Sequence, residues 1–270
     1  MPFCVDVLSI VLSFFDMSSS TRLVCKEWRR VLKKVNHRWF VIDDEYKPYW
    51  FQFMRMTKRM PCEKIICRQN VGYVFVNPFG GWSHKIQSFE MTAGVVSLMS
   101  ISELCETTVK FVTLVGVKVV DIELLQNRPK PKLARLRMCS KVARIITKTF
   151  DLSDVNTVEF VRSKGYHRTL SDYIQGSQKF RQVWFNQTCV LSGENCLFQN
   201  VFYTTIETLR IKKLLVGRDD YLRVSVNFRV GHLVVDEFTG GGQFDKGVVK
   251  QFDEYLRDVA RMVTFKRRVV

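Results

Sequence analysis

The chain has 270 residues with 46% apolar composition, enough for one large domain, or a small and a large one, with a substantial core. Its 42 lysines and arginines exceed its 26 aspartates and glutamates, and the resulting net charge of +16 favours an acidic protein, a phosphorylated segment or nucleic acid as partner. A dispersed solvated surface explains the charge equally well. No run of 18 apolar residues occurs, so no membrane span is expected.

The first 32 residues predict two short apolar helices. Val7, Leu8, Val11, Leu12 and Phe15 lie at the spacing of one helix face. A second face follows the polar turn at residues 16–20, and its apolar members are Val24, Trp28, Val31 and Leu32. Helices this short cannot bury both apolar faces by themselves, so the segment is predicted to bind a partner chain.

Within this segment, residues 11–16 (VLSFFD) and 23–29 (LVCKEWR) resemble the F-box. The resemblance implies binding to a Skp-type adaptor of cullin–RING ubiquitin ligases. The residues it places in adaptor contact are Pro2, Val7, Leu8, Val11, Leu12, Phe15, Leu23, Val24, Cys25 and Trp28. The alternative is a helical cap that packs only on the rest of its own chain, with Cys25 and Trp28 in the core.

The next residues predict the boundary between two domains. His37–Phe40 closes a third helical pattern, the polar stretch 43–48 breaks it, and residues 49–60 predict a helix that packs between the domains. We therefore divide the chain into an F-box at 1–40, a connecting helix at 41–60 and a repeat domain at 61–270.

The repeat domain carries the pattern apolar–x–x–apolar–x–apolar eight times. Leucine-rich repeats have this strand pattern and periods of roughly 20–29 residues. Successive copies lie 22 to 26 residues apart. The copies are Cys62/Ile65/Cys67, Ile86/Phe89/Met91, Phe111/Leu114/Gly116, Leu133/Leu136/Met138, Val155/Val158/Phe160, Phe180/Val183/Phe185, Ile206/Leu209/Ile211 and Val230/Leu233/Val235.

The segments between these copies predict short helices or turns. They lie at 98–104, 119–125, 142–150 and 170–175, and the asparagine that forms a ladder in regular repeats is missing. Near the end, a glycine run at 240–242 precedes a predicted capping helix with Val248, Val249, Phe252, Leu256 and Val259 on one face. Residues 262–265 predict a final edge strand, after which Lys266–Arg268 leaves the core. The predicted fold class is α/β: a small helical F-box followed by a curved leucine-rich-repeat-like solenoid with a parallel sheet.

The side chains between the apolar positions of each copy point out of the core. In leucine-rich repeats they face the inner curve of the solenoid. The predicted substrate-binding residues are Arg135, Arg137, Arg181, Trp184, Arg210 and His232, with Glu159 and Glu207 as acidic exceptions. Arginine suits carboxylate or phosphate and tryptophan is a common interface anchor, so an acidic or phosphorylated target fits this strip. Ordinary exposed strand residues on a basic protein are the alternative.

Motifs for catalysis or metal binding are missing from the sequence. It contains no G-x-S-x-G elbow, no phosphate-binding loop and no H-E-x-x-H pair, and its four histidines are scattered singly. The eight cysteines form no C-x-x-C pair, and several occupy apolar positions, which favours a reducing compartment, the cytoplasm or nucleus. No enzyme activity, cofactor or metal is therefore expected.

Three functions remain. The resemblance implies a substrate-receptor subunit of a cullin–RING ubiquitin ligase, which binds its adaptor through the F-box and an unknown target through the repeats. A basic nucleic-acid-binding solenoid is the less favoured alternative, because no nucleic-acid-binding motif supports it. The third is an F-box scaffold that binds the adaptor without directing degradation.

Overall fold

The computed structural model describes residues 37–42, 62–68, 73–74, 86–120, 128–161, 170–191, 203–216, 228–240 and 255–269. These residues form a mixed α/β structure with extensive parallel sheet and few helices. The chain divides into two compact units, Met1–Gln126 and Asn127–Val270. No helix within these ranges is long and apolar enough to cross a membrane.

The described strands of the first unit form two parallel sheets. The larger has the order β1-β2-β4-β6 and the smaller the order β3-β5-β7. The elements are β1 (His37–Ile42), β2 (Cys62–Cys67), β3 (Tyr73–Val74), β4 (Ser88–Met91), β5 (Gly94–Ser97), α1 (Leu98–Cys105), β6 (Phe111–Leu114) and β7 (Val117–Val120). The second sheet was not predicted.

β1 corrects one prediction in this unit. His37–Phe40 does not close a helix but begins a strand whose residues pair in parallel with β2. The reason is composition, since Trp39, Phe40, Val41 and Ile42 are aromatic or β-branched and favour strand over helix. Only residues 37–40 of the predicted F-box are described, and the predicted helix at 49–60 lies outside the described residues.

Glycines turn the chain from one sheet of this unit into the other. Gly94 is the first residue of β5 and has φ of +104°, and Gly116 lies between β6 and β7 with φ of +78°. A Cβ atom on Gly116 would lie 2.6 Å from the carbonyl oxygen of Thr92 in the preceding turn. The backbones stack at this corner with no room for a side chain.

Replacing Gly116 with alanine should therefore lower the free energy of unfolding by about 2 kcal/mol, through backbone strain and the contact with Thr92. Gly176→Ala is the matched control, because Gly176 has φ of +77° but nothing within 4 Å of its Cβ position. The control should lose only the strain contribution, about 1 kcal/mol. Urea unfolding of both variants measures the difference, and equal losses would contradict the role of the close contact.

The described strands of the second unit form a parallel sheet with the order β8-β9-β10-β11-β12-β13, and β14 also pairs with β12. Two helical elements fall between its first strands, and residues 255–259 form a helix before β13. The elements are β8 (Arg135–Cys139), α2 (Ser140–Thr149), β9 (Thr157–Val161), a 3₁₀ turn (Leu170–Asp172), β10 (Gln178–Leu191), β11 (Thr204–Val216), β12 (Arg229–Gly240), β13 (Ala260–Phe265) and β14 (Arg268–Val269).

The predicted repeat sets the strand register. Within the second unit, the middle residues of successive copies lie directly opposite one another: Leu136, Val158, Val183, Leu209 and Leu233. All the apolar positions of these five copies are buried, at 2% exposure or less. Spacings of 22 to 26 residues leave room for the crossover that each parallel pair requires. The parallel sheet is confirmed, and the curved solenoid remains a prediction.

The third copy was placed two residues too late. Phe111 is 44% exposed, whereas Val109, Val112 and Leu114 are buried, and Phe89 pairs with Val112. Gly116 has no side chain to bury, because it forms the corner described above. The correct pattern of this copy is therefore Val109/Val112/Leu114.

The predicted short helices between strands are largely confirmed. The segments at 98–104, 142–150 and 170–175 correspond to α1, α2 and the 3₁₀ turn. The Ser97 hydroxyl caps α1 by accepting a hydrogen bond from the Ser100 N–H at 3.0 Å. The segment at 119–125 is different, since residues 119 and 120 end β7 and the rest lie outside the described residues.

At the end of the second unit, Leu256 and Val259 of the predicted capping helix are helical and buried, and residues 262–265 lie in β13 as expected. The other residues of that helix face lie outside the described residues. Lys266–Arg268 does not simply leave the core. Its side chains are exposed, but Arg268 begins β14 and pairs with Phe238.

A buried amide at the start of β10 joins backbone groups. Gln178 is 3% exposed, and its Nε2 donates to the carbonyl oxygens of Thr147 and Phe150, the latter at 2.8 Å. Its Oε1 accepts a hydrogen bond from the Leu152 N–H at 3.3 Å. One side chain at the start of β10 thus joins the end of α2 to the segment that follows it.

Candidate interaction surface

The six predicted substrate-binding residues all lie on strands of the second unit. Arg135 and Arg137 belong to β8, Arg181 and Trp184 to β10, Arg210 to β11 and His232 to β12. None of the six is buried, although the strands that carry them have buried neighbouring positions. The alternation expected of a strand therefore turns these side chains away from the core.

Three of these residues form a stacked group, here called the Arg–Trp–Arg cluster: Arg135, Trp184 and Arg210. The guanidinium carbon of Arg135 lies 5.2 Å from the centroid of the Trp184 ring, and that of Arg210 lies 4.9 Å from it. Arg135 approaches from the β9 side of Trp184 and Arg210 from the neighbouring β11. Cation–π contacts of this kind fix the indole between two positive charges.

Glu159 anchors one side of the cluster. It was predicted as an exposed acidic exception, but it is fully buried. Arg135 donates two hydrogen bonds to its Oε2, one of them from Nε at 3.0 Å, and Asn186 donates to its Oε1 at 2.7 Å. The Nε of Arg137 lies 3.5 Å from the same Oε1. The arginines cover the carboxylate, because β9 runs between β8 and β10 and presents Glu159 beside Arg137 and Trp184.

Asp236 anchors the other side. Its Oδ2 accepts a hydrogen bond from Nε of Arg210 at 2.8 Å, and its Oδ1 lies 2.8 Å from Nζ of Lys266. Partial burial raises the pKa of Asp236, but the hydrogen bonds and charges of Lys266 and Arg210 outweigh it and hold that pKa below the ordinary 3.8. Asp236 therefore stays ionised and keeps Arg210 in place against Trp184.

Glu159 and Asp236 do not neutralise the surface around Trp184, which keeps a positive net charge. Glu159 is shared by Arg135 and Arg137, and Asp236 is shared by Arg210 and Lys266. Each carboxylate cancels one of its two cations, so each side of Trp184 retains one net positive charge. The four cationic side chains are 41% to 52% exposed, so solvent and ligands reach them.

Arg181 and His232 have other partners. Arg181 donates a hydrogen bond to Oδ1 of Asn156 at 3.1 Å and lies 3.9 Å from Oδ1 of Asp154. Nε2 of His232 lies 2.9 Å from Oγ1 of Thr264 on β13. The structure thus brings Arg135, Arg137, Trp184 and Arg210 together and gives these two residues separate surroundings.

Two charged residues of this surface, Asp236 and Lys266, were not predicted from the sequence, and Glu159 was predicted to be exposed. The signal was present for Glu159, because the repeat register puts it opposite both Arg137 and Trp184. Asp236 lies just beyond the last apolar position of its copy, outside the pattern that selected candidates. Lys266 follows β13, for which no copy of the pattern was identified.

The predicted adaptor-binding residues cannot be placed in the same way. All ten lie outside the described residues: Pro2, Val7, Leu8, Val11, Leu12, Phe15, Leu23, Val24, Cys25 and Trp28. Their role therefore remains a prediction from the sequence.

Cys67, Cys105, Cys139 and Cys189 are free thiols. Cys67, Cys139 and Cys189 are buried, and burial raises the pKa of the Cys67 and Cys105 thiols to about 12. Thiols with such pKa values are protonated at neutral pH and are poor nucleophiles. Within the described ranges, no group of three histidine, cysteine or acidic residues is arranged to hold a metal ion.

Comparison with known proteins finds no matching family model and no matching curated protein. Functional inference therefore depends on the residues themselves. Two features carry it: the string at residues 23–29 and the charged surface around Trp184.

Proposed function

We propose that this chain is the substrate-receptor subunit of a cullin–RING ubiquitin ligase. Residues 1–40 bind a Skp-type adaptor, and the surface around Trp184 binds the protein to be ubiquitylated. The observation that carries the proposal is the string Leu23-Val24-Cys25-Lys26-Glu27-Trp28-Arg29, which resembles the F-box. The protein would work in the cytoplasm or nucleus, where such ligases and reduced cysteines occur together.

The sheet of the second unit supports this role. A receptor needs a rigid surface with an anchor residue and charged groups, and it needs no active site, because it acts by raising the local concentration of its target near the transfer enzyme. Trp184 held between Arg135 and Arg210 is an anchor of the kind that dominates protein interfaces. The unit positive charge on either side of the indole favours an acidic target.

Nucleic acid is a second candidate, favoured by the net charge of +16. The surface around Trp184 supports it less well, because only one net positive charge remains on each side of the indole, whereas a nucleic-acid backbone is bound along a continuous basic groove. Electrostatic binding to DNA or RNA would fall steeply as the salt concentration rises. A strong, salt-dependent affinity for unrelated nucleic acids would favour this alternative.

Co-expression with a Skp-type adaptor tests the proposal. The intact chain should co-purify with the adaptor, and Val11→Asp combined with Trp28→Ala should weaken binding by about 100-fold, since a charge and a lost anchor both fall on the proposed contact. The matched control is Val11→Ile with Trp28→Phe, which keeps the apolar surface and should retain most of the affinity.

The unfolding transition of the double variant distinguishes lost contact from lost fold. Unfolding that resembles that of the intact chain, together with lost adaptor binding, supports the proposal. Failure of the intact chain to bind any Skp-type adaptor would overturn it, as would unchanged binding by Val11→Asp with Trp28→Ala.

A further inference from the structure

The positive charge around Trp184 is divided into two separate units. Arg135, Arg137 and Glu159 together carry one net positive charge on one side of the indole. Arg210, Lys266 and Asp236 carry another on the opposite side. The indole stands between them, with a guanidinium group about 5 Å from its centroid on each side.

We propose that the Arg–Trp–Arg cluster binds an extended acidic segment of the target protein through two carboxylates of the form acid–x–acid. One carboxylate pairs with Arg135 and the other with Arg210, and the backbone of the intervening residue crosses the edge of Trp184. This inference rests on the proposed function, since it specifies the target that the receptor recognises.

Two carboxylates fit the divided charge better than one phosphate. A phosphate group carries nearly two negative charges at a single point and is best bound by arginines that converge on it. Here Arg135 and Arg210 approach from different directions, because Arg135 lies on β8 and Arg210 on β11, on either side of the strand β10 that carries Trp184. Each side has one unit of charge to offer, which matches one carboxylate.

The distance between the two guanidinium groups sets the spacing of the acids. The groups lie no more than about 10 Å apart, the two centroid distances laid end to end. In an extended chain, the side chains of residues i and i+2 share a face and lie about 7 Å apart, and those of residues i and i+4 lie about 13 Å apart. Flexible glutamate side chains span the remaining difference at the shorter spacing, so one intervening residue fits.

Fluorescence anisotropy with the full chain tests this geometry. The probe is a short fluorescein-labelled glycine–serine peptide that carries Glu-Ala-Glu. Two comparison peptides carry Glu-Ala-Ala-Ala-Glu and a single phosphoserine. The Glu-Ala-Glu peptide should bind most tightly, by at least about threefold over either comparison peptide.

Variants locate the binding on the cluster. Arg135→Gln and Arg210→Gln should each weaken binding of the Glu-Ala-Glu peptide by about tenfold, since each removes one charge-assisted hydrogen-bonding group. Lys179→Gln removes an equal charge from an exposed position at the start of β10 and should leave the affinity unchanged. Trp184→Phe should keep measurable binding, because it preserves an aromatic face for both arginines.

Equal binding of the three peptides, preference for phosphoserine, or arginine variants that bind like the intact chain would overturn the inference. Tighter binding of an unlabelled oligonucleotide, detected by competition with the probe, would also overturn it. Adaptor co-purification of the same preparations keeps the two proposals apart. Lost peptide recognition with intact adaptor binding refutes only the acid–x–acid site. Intact peptide recognition without adaptor binding refutes only the proposal that residues 1–40 bind the adaptor.

Discussion

Replacing Glu159 with glutamine is expected to lower the free energy of unfolding of the second unit by about 3 kcal/mol, because the amide leaves buried hydrogen-bonding groups without a suitable partner. Both oxygens of this buried carboxylate are occupied, Oε2 by Arg135 and Oε1 by Asn186 and Arg137. In either orientation, the amide NH₂ of glutamine would face a hydrogen-bond donor. Urea unfolding of the full chain measures the loss.

The matched control is Glu237→Gln. Glu237 also pairs with a cation, Lys213 at 2.6 Å, but this pair is partly exposed to solvent on β12 and β11. Solvent screens such pairs and they add little to stability, so this variant should unfold like the intact chain. Equal effects of the two substitutions would show that burial of Glu159 has no energetic consequence.

The second large effect is expected at Gln178. Its replacement by leucine should cost about 3 kcal/mol, because the carbonyl of Phe150 and the N–H of Leu152 lose the hydrogen-bond partner that the structure gives them. The Thr147 carbonyl keeps a bond from Arg128 at 2.9 Å and is affected less. Leucine nearly matches glutamine in size, so the loss reports unpaired backbone groups rather than a cavity.

Gln182→Leu provides the control on the same strand. Gln182 is exposed and accepts only a side-chain hydrogen bond at 3.3 Å from Thr157 among its described contacts. Its substitution should change the free energy of unfolding by less than about 0.5 kcal/mol. A Gln178→Leu variant as stable as this control would refute the structural role of the buried amide.

Much of the sheet could be predicted from the sequence because burial repeats along it. Leu136, Val158, Val183 and Leu209 recur at intervals that bring successive strands side by side. A repeat also determines which residues turn outward, so the sequence alone predicts that Arg135, Trp184 and Arg210 face away from the core. Local pattern is sufficient for these features, since each depends only on the alternation within a strand.

The remaining features depend on neighbours distant in sequence. Glu159 is a buried anchor because side chains 22 to 27 residues away cover it, and only the register between copies, not its neighbours in sequence, indicates them. Gln178 joins backbone groups that precede it by up to 31 residues. The third copy was placed too late because Gly116 was counted as an apolar position, whereas it forms a corner that requires positive φ. The partners of Glu159 and Gln178 carry no periodic signal, so the apolar pattern alone cannot assign them.

The proposed receptor function depends most on adaptor recognition by the first 40 residues. The direct measurement is the affinity of the purified full chain for a purified Skp-type adaptor bound to the amino-terminal part of its cullin, determined by calorimetry. We predict a one-to-one complex with a Kd below about 1 µM, typical of a specific interface. Absence of binding at protein concentrations of about 100 µM, where even weak complexes form, would contradict the proposed function.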